Sequence, residues 1–473
     1  MKNKLARLLI LVTTAIWAPG IYNSLYAQPS ANTSSPYSRF GVGELQYNSQ
    51  PRFMGMGGVA MGVNDSTYIN FENPASYTAV GRYTLFDFGG RASFTRLNTA
   101  TKQADANSIN FSHLFVSFPI INRKWAMNVG VIPYSNEGYN FTQTTPLPSY
   151  NDIQVNYQGS GGLTSVVWGN GVTIFRSLKN RSKTVNPDTV KNSAMRKIMR
   201  DTMPETSRLS LGANISYLFG NLNSQSSAIF PDTTIAYNTR QIRSVRVDGI
   251  STQLGLQYTK RFKRDRVLTL GLSYTLGLNQ SAKENLFIAS YVNTGESDFY
   301  LDTLVNKENS KGKIQLPSSV GAGFTFRQGN TWMVGADFKT TDWSNYRYFG
   351  SADDKLANSY QASVGAQYTP DYTPKKLSLR RTAYRIGARY GRSYLNLNNT
   401  PINEWGVSAG IGLLLNPSGY YQRIFKAPFS SMNISAEYGQ RGTTTNNLIR
   451  EDFVRLSLAF TFSDKWFNKY KYD

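Results

Sequence analysis

The chain has 473 residues with no Cys and a single His, 17% charged residues, 13% aromatics, 39 Gly and a net charge of +22. A soluble domain usually carries about 25% charged residues, so low charge with abundant aromatics and Gly argues against an ordinary cytosolic enzyme. The absence of Cys excludes a disulfide scaffold, and with one His the expectation is no transition-metal site and no cofactor.

The N-terminus carries Lys2, Lys4 and Arg7, then the apolar run Leu8 to Ala18, then Ala27 before Gln28. This layout predicts a secretory signal over 1–27, too short in its apolar part to span as a helix. Removing those three cations leaves +19 for the mature chain. Such a basic balance would suggest nucleic acid for a cytosolic protein. For an exported chain the expected partners are instead outer-membrane lipid or acidic ligands, with no nucleic acid.

Residues 28–81 do not alternate like strands. They hold Arg52, the run Met54-Gly55-Met56-Gly57-Gly58, Asp65 and Asn73-Pro74-Ala75. Gly clusters permit close backbone approach and positive φ, and Asn-Pro favours a turn. A plug folded into a barrel lumen and a floppy leader both fit.

Period two dominates the rest. Leu268, Leu270, Leu272, Tyr274, Leu276 and Leu278 alternate with Thr269, Gly271, Ser273, Thr275, Gly277 and Asn279. Alternate side chains of a strand face opposite sides, so this stretch has one apolar and one small polar face. The pattern returns from Trp405, Met432 and Val454. It predicts an all-β, 14-stranded antiparallel transmembrane barrel over 82–463, followed by a tail at 464–473. The spans fall near 82–97, 106–119, 124–137, 152–175, 207–228, 238–262, 266–282, 312–327, 331–345, 358–369, 380–395, 403–416, 428–441 and 448–462. An even count places both termini on the periplasmic side. Turns at 121–123, 263–265 and 328–330 would be periplasmic, and loops at 138–151, 283–311 and 346–357 extracellular. Trp125, Trp332, Trp405 and Trp466 stand near span ends, where aromatic girdles form, whereas Trp168 lies inside one.

The connection at 176–206 is too long for a periplasmic turn. Between Arg176 and Arg200, the cations Arg176, Lys179, Arg181, Lys183, Lys191, Arg196, Lys197 and Arg200 face one acid, Asp188. It reads either as a periplasmic docking element for an acidic partner or as a solvated insertion.

Catalytic chemistry is scarce. The one His, His113, is adjacent to Ser112, and strict alternation would point them to opposite faces, so no Ser–His pair is expected. Arg91, Arg385, Arg389 and Arg455 take lumen-facing parity. They would either bind a ligand carboxylate or pair with Asp87, Asp337 and Glu437.

The N-terminal segment, with Gly55, Gly57, Gly58, Asn73, Pro74 and Ala75, resembles the hatch of the FadL/TodX outer-membrane transporters of fatty acids and hydrocarbons. The strand count agrees with that family. The resemblance implies a hatch in the lumen and passive uptake of a hydrophobic or amphipathic small molecule, leaving sideways through the wall. The ending Ser463-Asp464-Lys465-Trp466-Phe467 with a basic tail resembles Bacteroidota-type members. Some of those are accessory or shuttle subunits of outer-membrane complexes, such as type IX secretion or barrel assembly. Three functions are therefore weighed: uptake, with an apolar pocket and a break in the wall; an accessory subunit, with a filled lumen and outward partner surfaces; and an open porin.

Overall fold

A computed structural model describes residues 35–46, 50–81, 83–146, 152–178, 205–230, 237–293, 298–370, 382–415 and 430–466. A short strand, β1 (Glu44–Leu45), and one turn of helix, α1 (Pro51–Met54), precede the sheet. Then follow β2 (Thr84–Asn98), β3 (Gln103–Ile121), β4 (Trp125–Thr145), β5 (Ile153–Leu178), β6 (Glu205–Ile229) and β7 (Asn238–Arg261). The series continues with β8 (Arg266–Thr275), β9 (Asn279–Asn293), β10 (Asp298–Gln315), β11 (Ser319–Gln328), β12 (Trp332–Thr341) and β13 (Arg347–Tyr348). It ends with β14 (Ser359–Tyr368), β15 (Ala383–Leu397), β16 (Thr400–Leu414), β17 (Ser430–Gly442) and β18 (Arg450–Asp464).

The long strands close a 14-stranded antiparallel ring. β18 pairs with β2 along its whole length, from Arg450↔Asn98 to Asp464↔Thr84. β8 and β9 together make one wall strand, and β10 and β11 the next: β7 pairs with both β8 and β9, and β11 with β8 and β12. Apart from one seam between β3 and β4, closure satisfies the edges inside the ring, which is what lets a sheet stand in a bilayer. Leu270, Leu272, Tyr274, Ile386, Val407, Leu456 and Leu458 point outward and are exposed, forming the apolar band. The inward-facing Thr269, Ser273, Ser435 and Ser457 are buried. Trp125, Trp332, Trp405 and Trp466 are all partly exposed, and so is Trp168, which also faces outward.

The short turns behave as their sequences ask. Arg123, Arg264, Asp265 and Gly329 take positive φ at the reversals. The opposite, loop end differs from expectation. Instead of loops at 138–151 and 283–311, β4 runs on to Thr145, and β9 and β10 form a hairpin across 283–311. At 26 residues and roughly 3.3 Å each, β5 is about 85 Å long, nearly three times the ~30 Å hydrocarbon core. Strong tilt absorbs part of this. The remainder of β4, β5, β6, β7, β9 and β10 stands beyond the ring as one continuous sheet.

One seam interrupts the wall. β3 pairs with β4 only from Leu114↔Val131 to Ile121↔Trp125. Above that, Gln103–Phe111 pairs with β2 alone. The facing half of β4 pairs with β5 and, at Ser135 and Asn136, with the small strand β1. Ile109 beside this seam is 86% exposed, the highest value among the exposed large apolar side chains.

The insertion at 179–204, including Lys179, Arg181, Lys183, Lys191, Arg196, Lys197 and Arg200, lies outside the described residues, as do residues 1–34, which include the expected signal at 1–27, and residues 467–473. Arg176 itself closes β5, 3.8 Å from Glu205 of β6.

Candidate functional site: the lumen and its N-terminal segment

From Ser35 the chain descends through the ring and leaves at β2. Ser35 donates to Glu451 (2.6 Å) near the loop end of β18, so the described chain begins at the end opposite Asp464. Further down, Ala60 and Met61 donate their backbone N–H groups to Asp337 (2.6 and 2.8 Å). Asn73 donates to the carbonyls of Met61 and Leu256, and its own oxygen caps the following turn by accepting from Ala75 N–H. Tyr77 reaches Asn214 on β6 and accepts from Asn128 on β4. Phe53, Met56, Val59 and Ala60 are wholly buried. These partners lie on β4, β6, β7, β12 and β18, so the segment is tied to strands around the ring.

Glycine makes the fit. Gly57 has φ +70°, and a Cβ there would sit 2.6 Å from the Ala388 carbonyl oxygen. On the wall, a Cβ on Gly271 would meet the Met61 carbonyl oxygen at 1.9 Å. Both positions bring backbone against backbone, which a side chain forbids. Gly55 approaches Gly410 in the same way, Gly58 also has positive φ, and Pro74 and Ala75 are buried against β6 near Gly212. The residues singled out in this segment therefore converge on the wall.

Above the segment lies a cavity of about 130 Å³. Arg389 bridges Glu404 and Glu437, each at 2.5 Å. Arg455 lies 3.2 and 3.4 Å from the same two acids. Arg441 binds Glu451 and Glu44, the latter from β1. Arg91 also lines the cavity. Arg385 sits lower and apart, on Gln367 and Asn433. Of the acids expected to pair with these arginines, Glu437 does so. Asp337 serves the segment's backbone, and Asp87 takes Gln50 and Thr461. Glu44, Glu404 and Glu451 escaped sequence reasoning because they sit near strand ends, where lumen-facing parity is hard to read. The cavity lining is mixed, charged side chains alternating with apolar ones such as Leu45, Leu395 and Phe453, and Ala106, Ser108 and Asn110 of the half-open β3 line one side of it.

The expectation that Ser112 and His113 point apart is corrected. A bulge opposite Gly89 and Gly90 breaks the alternation, both residues turn inward, and Ser112 Oγ lies 2.7 Å from His113 Nδ1. This is what a bulge does: two residues on one strand oppose one on its partner. His113 Nε2 is 3.4 Å from Asp87, and all three residues are buried. Gln50 of the segment and Thr461 of β18 also bind Asp87, so the cluster ties the segment to β2, β3 and β18.

At the short-turn mouth, Arg52 pairs with Asp65 (2.9 Å) and stacks on Tyr68, 3.9 Å from the ring centre. Burial raises the Asp65 carboxyl, but Arg52 and Arg327 outweigh it and hold the group below the usual carboxylate range.

A family model named BamG matches residues 7–182 and 201–473. The chain belongs to the BamG family. No curated protein matches it. Among solved structures, the Ralstonia pickettii toluene transporter TbuX is 13% identical with a TM-score of 0.52, over 87% of this chain and 97% of that one. The Pseudomonas putida toluene transporter TodX is 14% identical with a TM-score of 0.52, over 90% of this chain and all of that one. At such identities the likeness is one of fold. This BamG-family chain therefore shares the barrel architecture of hydrophobic-compound channels, while its family model carries a different name from theirs.

Proposed function

We propose that this chain is a plugged outer-membrane barrel acting as an accessory subunit of an outer-membrane complex, of the kind that secretes or assembles proteins. The observation that carries this reading is the filled bore. The N-terminal segment meets the wall backbone to backbone at Gly57 and Gly271, and buried ion pairs secure its start. The space left above it is lined by paired charges as well as by apolar side chains such as Leu45, Leu395 and Phe453. The sheet of β4–β7, β9 and β10 beyond the ring offers a partner-sized surface, with Phe299, Leu301 and Leu304 exposed on β10. An open porin would need an empty bore.

Passive uptake of a hydrophobic or amphipathic small molecule, of the fatty-acid type, is the second reading. One observation favours it: the seam between β3 and β4 opens from the cavity lining toward the lipid-facing side. A route through it would bypass the plug. In this proposal residues 28–81 are the hatch, the short turns face the periplasm, and the basic 176–206 connection stands there for docking.

Gentle detergent extraction from native membranes, followed by mass spectrometry of bound proteins and bound lipids, separates the two. A stoichiometric outer-membrane protein partner is the expected result. An isolated barrel carrying only a stoichiometric amphiphile would overturn the accessory reading in favour of uptake.

A further inference from the structure

A second cavity, of about 80 Å³, opens at the short-turn mouth beneath the N-terminal segment. That is well above the roughly 10–15 Å³ needed for one water. Its lining joins Arg52, Asn64 and Asp65 of the segment to Arg208 on β6, Arg261 on β7 and Arg327 on β11. Four arginines against Asp65 and Glu205 leave an excess of two positive charges.

The acids are already engaged. Asp65 takes Arg52 Nη2 at 2.9 Å, while Glu205 lies 3.4 Å from Arg208 and 3.8 Å from Arg176. Yet Arg52, with its side chain 4% exposed, keeps Nε and Nη1 buried without a hydrogen-bond partner among the described residues. The Arg327 side chain has no hydrogen bond or close ion pair among those residues either, although its charge acts on Asp65. Buried donors in a native structure are nearly always satisfied. These two Arg52 nitrogens lie on different edges of the guanidinium, and each can donate a charge-assisted hydrogen bond to an oxyanion oxygen. Nearby Arg123 and Arg176 add to the positive field felt by Arg208.

We propose that this mouth is a binding site for one small oxyanion, a phosphate or a carboxylate, held between Arg52 of the N-terminal segment and Arg327 and Arg208 of the wall. Because the ligand bridges segment and wall, its binding strengthens the segment's hold on the bore. The site is separate from the seam and from the upper cavity, so it stands whether the barrel is an accessory subunit or a channel.

The test uses the full mature chain in detergent, titrated with inorganic phosphate and, separately, acetate, each against chloride at equal ionic strength. The readouts are the melting temperature and the hydrogen exchange of residues 51–65. Expected is a saturable rise in melting temperature with slower exchange over 51–65, and at least a tenfold loss of affinity in Arg327→Gln. Arg96→Gln, on the outer face, serves as a control that keeps wild-type affinity. Should Arg327→Gln fail to give a heat-modifiable folded band, Arg208→Gln takes its place. A response no larger than that to chloride overturns the proposal, as does a full response surviving in the folded Arg variant.

Discussion

At the scale of single residues, the upper ionic cluster shows how charge is carried inside this barrel. Arg389 is 12% exposed and Glu437 3%, and each holds the other's charge away from water. Removing one partner of a buried pair strands the other, at a typical cost of about 3–5 kcal/mol. Glu437→Gln is therefore expected to lower the urea midpoint of the detergent-solubilised barrel, whereas Asp105→Asn, in an exposed pair with Arg96, leaves it within experimental error. Gly271→Val is expected to fail differently, because its side chain would collide with Met61 backbone. Its product should either not fold or expose residues 51–65 to protease. Asp65 gives a pH signature. Its folded carboxyl is depressed relative to the unfolded chain, so its contribution is complete above the ordinary carboxylate range and is lost only as pH falls well below it. Asp65→Asn should flatten that acid limb of the stability profile. The Ser112–His113 contact was illegible for a physical reason. Alternation is a rule for unbroken strands, and the pair Gly89-Gly90, which permits the bulge, sits on the neighbouring strand rather than beside His113.

At the scale of elements, the wall strands were legible because each has one face in lipid and one in the lumen. Most observed wall strands fall within a few residues of the spans read from period two, but β4 overruns its span by eight residues and the spans at 266–282 and 312–327 each break into two strands. Where both faces meet water, that contrast vanishes. The hairpin of β9 and β10 carries Lys307-Glu308-Asn309-Ser310-Lys311 at one edge and three register shifts, so its sequence resembles a loop. Those shifts and lysines also blunt an edge that would otherwise template another strand. The β3–β4 seam was invisible in sequence because pairing is a relation between strands. Its mark is measurable. Alternate amides of β3 between Ala104 and Asn110 lack a partner on the β4 side, and they are expected to exchange much faster than those bonded to β2. Equal protection on both sides would mean the seam is closed in solution.

At the scale of the whole molecule, the mature chain is expected to require detergent and to show a heat-modifiable band on gels. A soluble monomer in plain buffer would dispose of the barrel. Deleting residues 35–80 should convert a silent protein into one that conducts ions across planar bilayers, since that segment occupies the bore. Its composition announced that it was no strand, and its glycines marked where backbones would meet. Which wall residues receive them was settled only by ring closure, since Gly57 meets Ala388 from more than three hundred positions away.

The threading of this segment also bears on the order of assembly. It precedes every wall strand in the chain, yet its contacts run from β4 round to β18, and the ring shuts where β18 meets β2. A finished cylinder could not easily be stuffed through its narrow middle. The wall is better pictured as winding around a mandrel that is already there, so damage to the mandrel should slow closure as well as open the finished ring.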